Sequence, residues 1–138
     1  MRASIRQIDY FSVGVPDRPG EACRFLSALA QAGVALVAFS ANPTGSAERE
    51  ELLVFPESDE QLAAVADRAG YRLGDPRTAI LVQGENHIGA LVDIHRRLSE
   101  AGLNVQAATG VTDGGGGFGY IVFLRPEDLG PATRALGI

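Results

Sequence analysis

Two short stretches concentrate the residues able to hold a small polar molecule: Gly84-Glu85-Asn86-His87-Ile88-Gly89, and Ala101-Gly102-Leu103-Asn104. The first reads as a turn from a strand into a helix. The second reads as the turn from that helix into the next strand, so Asn86 and Asn104 stand at its two ends. A glycine-closed turn at a helix start leaves backbone N–H groups pointing outward, which favours a carboxylate. A carboxamide offers both a donor and an acceptor, so it holds an ammonium or a carboxylate equally well. The pattern points to a site for a free amino acid, bound without being chemically changed. The bland alternative is that both asparagines are turn formers, since Asn tolerates left-handed backbone.

Signals for catalysis are weak. The sequence has no G-x-S-x-G elbow and no H-E-x-x-H pair. It has no lysine at all, which removes Schiff-base chemistry. The two histidines, His87 and His95, are eight residues apart, over two turns of helix and too far to chelate one metal. His87 is a candidate ligand contact in its turn, whereas His95 reads as a helix-flank residue. Cys23 reads as a small buried residue. The run Gly114–Gly117 joins two strands, so it reads as a hairpin tip and not as a phosphate cradle, which leads from a strand into a helix. No cofactor, metal site or enzymatic activity is expected.

The elements that must position these residues repeat. Sliding the sequence by 69 residues aligns Val13 with Val82, Gly20 with Gly89, Leu29 with Leu98, and Ala32-Gly33 with Ala101-Gly102. The first copy reads β-α-β-β-α-β, and the second repeats it without the last strand. In the first, strands are expected over Asp9–Val15, Val34–Ala41 and Glu51–Phe55, with a short fourth at Tyr71–Leu73. Its first helix carries the stripe Ala22, Phe25, Leu26 and Leu29 and ends at Gly33; its second is capped by Ser58 or Asp59 and ends at Gly70. In the second copy the strands are Thr78–Gln83, Leu103–Thr109 and Gly119–Leu124. Its helices are Gly89–Ala101, with the stripe Leu91, Ile94, Leu98 and Ala101, and Pro126–Leu136. This copy lacks a fourth strand, and either the N-terminal segment Ile5–Val15 or another chain is expected to supply it. Residues 1–75 and 76–138 are thus the two modules. The strand Val34–Ala41 is apolar on both faces, Val34, Leu36 and Ala38 against Ala35, Val37 and Phe39, which implies that something covers the second face.

Bulk properties narrow the partners. A net charge of −5 argues against nucleic acid, which is bound through clustered basic groups. The longest apolar stretch, 33–41, is too short to span a bilayer, and the N-terminus has no apolar run of signal-peptide type. One cysteine permits no internal disulfide and fits a reducing cytosol. The expectation is a cytoplasmic protein with no membrane partner.

Two β-α-β-β-α-β units, each with a D/N-x-x-G turn into its first helix and a glycine-hydrophobic step into its second strand, resemble the ACT domain. Val15-Pro16-Asp17-Arg18-Pro19-Gly20 and Ala32-Gly33-Val34 carry the likeness in the first copy. The second is similar to the serine-binding regulatory domain of phosphoglycerate dehydrogenase, through Glu85, Asn86, Gly89, Gly102, Leu103 and Asn104. The histidine which that family places two positions before the first asparagine is replaced here by Gly84. The resemblance implies an α+β fold of two ferredoxin-like modules in tandem, antiparallel sheets with helices on one face. It implies a non-catalytic, amino-acid-binding regulatory protein whose ligand sits at the interface between modules. The residues it assigns are Asn86, His87, Ile88, Gly89 and Asn104, with Asp17, Arg18, Pro19 and Gly20 at the matching turn of the first copy. It implies a homodimer, and a metabolic enzyme or regulator as partner. The rival expectation is a ligand-free dimerisation or assembly module acting through its sheet surface.

Overall fold

The computed structural model describes residues 3–138; Met1 and Arg2, which the first expected module includes, lie outside the described residues. The chain forms two compact units, Asp9–Arg77, and Thr78–Ile138 together with the start of the chain up to Ile8. The sequence reading divides the chain after residue 75 and keeps its first residues with the first module. The observed assignment follows from strand β1 (Ala3–Pro16), whose 14 residues are shared out between both units.

In the first unit, β3 (Arg49–Pro56) lies between β1 and β2 (Leu36–Pro43), antiparallel to both. The register Phe11↔Val54 and Val13↔Leu52 sets every second residue towards helices α1 (Glu21–Gln31) and α2 (Asp59–Ala69). Phe11, Val13, Val15, Leu52 and Val54 from the strands meet Phe25, Leu29, Leu62 and Val65 from the helices in one buried cluster. Both helices begin and end where the sequence punctuates them. Ser58 caps α2 by accepting a hydrogen bond from the Gln61 amide at 3.3 Å, and Gly70 closes it in the left-handed conformation at φ 84°.

Two expectations need correction here. The short fourth strand Tyr71–Leu73 is reduced to a single bridge, Leu73 to Val13. In β2 the register shifts between Leu36 and Ala38, and this bulge brings both Leu36 and Phe39 onto the helix-facing cluster. A two-residue alternation assigns them to opposite faces; one extra residue in the strand reverses that assignment.

In the second unit, β6 (Gly117–Phe123) lies between β4 (Arg77–Glu85) and β5 (Ala107–Thr112), again antiparallel to both. The strand order puts β1 on the other side of β4. Of the expected segment Ile5–Val15, only the part up to Ile8 belongs to this unit, whereas Phe11–Val15 pair with β3 in the first. Helices α3 (Val92–Glu100) and α4 (Leu129–Leu136) cover the sheet, the latter entered through a 3-10 turn at Pro126–Asp128. Ile80, Val82 and Val122 pack on Ile94, Leu98, Ala132 and Leu136.

The expected bounds of α3 and β5 shift. Gly89 takes φ 78°, and the amides of Ala90 and Val92 bond the carbonyls of His87 and Gly89, so tight turns precede the helix and it starts at Val92. At its far end the Leu103 amide reaches back to the Leu98 carbonyl at 3.0 Å, and Gln106 makes the first bond to β6, at the Phe123 carbonyl. Leu103 and Val105 pack on the core from irregular chain, and β5 begins only at Ala107. No described helix is long and apolar enough to cross a membrane.

Candidate functional site

The turn expected to hold a ligand borders a cavity of about 590 Å³ that lies within the second unit. Its apolar wall comes from Ile5, Val82, Ile94, Leu136 and Ile138, and its polar rim from His87, Asp93 and Arg97. Gly89 and Ala90 complete the edge where the chain passes from β4 into α3. Three local choices build this edge. Strand β4 ends at Glu85, the Asn86 amide is held by the Gly116 carbonyl at 2.7 Å, and Gly89 turns the chain with a backbone conformation that suits glycine.

Asp93 and Arg97 stand one turn apart on α3 and form an ion pair at 3.0 Å. The Arg97 guanidinium also donates to the Leu136 carbonyl at 3.4 Å, which ties the rim to the end of α4. Both side chains remain about half exposed, so they present a negative and a positive charge side by side at the cavity mouth. His87 Nδ1 lies 3.1 Å from the Ile88 carbonyl oxygen and donates to it in the tautomer that carries its proton there. Such a rim suits a small zwitterion, with an ammonium towards Asp93 and a carboxylate towards Arg97. No group of three or more His, Cys, Asp or Glu side chains suited to a metal occurs among the described residues.

Of the residues singled out from the sequence, His87 and Gly89 line the cavity. Asn86 and Ile88 are exposed in the same turn and do not line it, Ile88 projecting fully into solvent. Asn104 is exposed beyond the other end of α3, whose nine residues separate it from Asn86 by about 13 Å of helix. Asp17, Arg18, Pro19 and Gly20 belong to the first unit, at the start of α1. Asp17 does not cap that helix; Gly20 is the capping residue, without a side-chain bond, and the Asp17 amide bonds the Glu48 carbonyl. Arg18 pairs with Glu21 at 3.2 Å.

Sequence reasoning missed Asp93 and Arg97, although opposite charges four apart on a helix face were there to be read. It also missed the terminal residues of the wall, for which no pattern existed. His95, expected on a helix flank, hydrogen-bonds the Tyr120 hydroxyl through Nε2 at 2.7 Å. Burial raises the Tyr120 phenol above its usual pKa. Cys23, read as buried, is exposed, because it points away from the Phe25–Leu29 side of α1.

No family model matches the sequence, and no curated protein matches it. Solved structures do match in three dimensions. Protein BT0572 from Bacteroides thetaiotaomicron superposes with a TM-score of 0.81 at 14% identity, over 96% of this chain and 88% of that one. The ligand-free regulatory subunit of aspartate kinase from Thermus thermophilus gives 0.65 at 15% identity, over 98% and 94% of the two chains. The same subunit from Thermus flavus gives 0.58 at 18%, over 98% and 94%. The fold is ACT-like. At these identities the likeness extends to the mixed α+β architecture over nearly the whole chain and carries no residue-level assignment.

Proposed function

We propose that this chain is a non-catalytic regulatory protein that binds a free amino acid in the cavity beside α3. The observation that carries the reading is the charge pair Asp93–Arg97 at the mouth of a 590 Å³ cavity, a volume within the range of small-molecule sites. The fold shared with regulatory subunits of aspartate kinase supports the regulatory half of the reading. A ligand that prefers one arrangement of the protein, or of the protein with its partner, shifts that equilibrium by its differential affinity, commonly about 1–3 kcal/mol. If like copies pair in a homodimer, Asn86 of one chain meets Asn104 of the other in a site separate from this cavity, and both substitutions to Ala should abolish that site while leaving binding in the cavity unchanged.

A thermal-shift and calorimetric screen of the common amino acids tests the reading. A ligand at one hundred times its dissociation constant should add about 2.7 kcal/mol of stability. Arg97→Gln and Asp93→Asn should each weaken binding by tenfold or more, since each leaves one end of the zwitterion without its counter-charge. Absence of any shift across the panel would count against the proposal. One observation favours the assembly reading instead: all six residues of β5 are exposed, none is charged, and the strand ends its sheet. Val111→Lys should then convert an oligomer into a monomer in sedimentation, with ligand binding irrelevant to the result.

A further inference from the structure

The place that forms the cavity in the second unit has a counterpart in the first, where a tyrosine fills it. In the first unit α1 opens after Gly20 (φ 91°), and Phe25, five residues on, is fully buried. Helix α2 closes on Gly70 (φ 84°), after which the Tyr71 amide bonds the Ala66 carbonyl at 2.9 Å. The Tyr71 ring then stands edge-on against Phe25, centroids 4.9 Å apart, with the Arg24 guanidinium 5.7 Å from its centre.

The second unit repeats these backbone positions. Helix α3 follows Gly89 (φ 78°), and Ile94, five residues on, is buried. Helix α4 closes on Gly137 (φ 76°), after which the Ile138 amide bonds the Thr133 carbonyl at 2.9 Å. Ile94 thus takes the place of Phe25, Ile138 that of Tyr71, and Asp93 that of Arg24. The outcome differs, because Ile138 is 46% exposed and lines the cavity together with Ile94. Two rings close this corner of the first unit, whereas two aliphatic side chains leave it open in the second. Arg97 also stands where the first unit has Ala28, eight residues after the opening glycine, so the ion pair at the mouth belongs to the second unit alone.

We infer that the cavity selects amino acids with a large apolar side chain, which packs on Ile94 and Ile138 in the seat that Tyr71 occupies in the first unit. This rests on the amino-acid reading above and gives it a specificity. The seat is apolar, so a bare or hydroxylated side chain gains little from it, while burial of an aromatic or long aliphatic one contributes at least a tenfold gain in affinity.

Isothermal titration of the full chain with L-phenylalanine, L-leucine, glycine, L-serine, L-aspartate and L-lysine tests the inference. Phenylalanine or leucine should bind at least tenfold more tightly than glycine and serine. Ile138→Tyr, which fills the seat from within, should weaken that binding at least tenfold, and it is tolerated because residue 138 is partly exposed. Glycine or serine binding as tightly as phenylalanine would overturn the side-chain seat and leave the amino-acid reading standing. Unchanged phenylalanine affinity in Ile138→Tyr would do the same. Binding of no amino acid at all would overturn both.

Discussion

Gly110 offers a sharp test of how the second unit is packed. It pairs with Tyr120 across β5 and β6. A Cβ at residue 110 would lie 2.6 Å from Tyr120 Cδ1 and 3.1 Å from the Gly119 carbonyl oxygen. Real carbon contacts do not come so close, and Cδ1 is near the stem of the ring, so a small tilt of its far end brings no relief. Either the ring swings away or β5 separates from β6. The first response breaks the 2.7 Å bond between Tyr120 and His95 and exposes a side chain that is now 8% accessible. Overpacking of this kind costs about 1–3 kcal/mol, and the lost hydrogen bond about 1 kcal/mol more. Against this, Gly→Ala lowers the entropy of the unfolded chain by about 0.4–1 kcal/mol at a residue whose φ is not positive, as here. Gly110→Ala should therefore destabilise by roughly 1–3 kcal/mol net.

Urea denaturation gives the loss, and a double-mutant cycle gives its cause. In a Tyr120→Ala background the obstacle is gone, so Gly110→Ala should be neutral or slightly stabilising, with a coupling energy of at least about 1 kcal/mol. The phenol provides a second readout. Its pKa is raised by burial, so displacement of the ring should return the Tyr120 titration towards the ordinary value near 10. Additive effects within about 0.5 kcal/mol, or an unmoved phenol titration in Gly110→Ala, would refute the clash as the cause.

Two further outcomes follow from the first unit. The Tyr71 hydroxyl is buried with no hydrogen-bond partner among the described residues, so Tyr71→Phe removes an unmet polar group and should stabilise by about 1 kcal/mol in the same denaturation assay; a loss of stability would show that the hydroxyl is satisfied. Asp59, in the first turn of α2, has its pKa raised, first by a hydrogen bond with the Asp9 carboxyl, then by burial and by the Asp9 charge. A carboxyl whose folded pKa exceeds its unfolded one stabilises the fold when protonated. That contribution is full below about pH 4 and is lost as pH rises through the folded value. Asp59→Asn should therefore gain on the parent as pH rises from about 3 to 7, and parallel melting profiles over that range would reject the carboxyl pair as the source.

Helix existence was legible in α1, α2 and α3 because an apolar pattern and a turn residue agreed at each. The stripe Phe25–Leu29 and the stripe Ile94–Leu98 supply the buried residues of α1 and α3, and glycines stand where the backbone must turn left-handed. The same punctuation gave the β-α-β-β-α part of each unit, while the last strand expected in the first unit is only a single bridge. What escaped was whatever depends on register. A bulge at residues 36–38 leaves no mark in composition, yet it decides which face Leu36 and Phe39 present. The irregular path from Leu103 to Gln106 is set by a bond back to Leu98 and a first contact with Phe123, neither of which period alone can signal. The candidate site shows the same division. The turn Asn86–Gly89 was legible because turn chemistry is local, and it does border the cavity. The wall was not, because Ile5, Val82, Leu136 and Ile138 meet only once β1, β4 and α4 are in place. Asp93 and Arg97 fall between these cases. Their spacing made an ion pair legible, but only the cavity beside them distinguishes a ligand-facing pair from the ordinary charged flank of a helix. Sequence spacing thus placed the turn, and three-dimensional closure determined which of its neighbours line the cavity beside it.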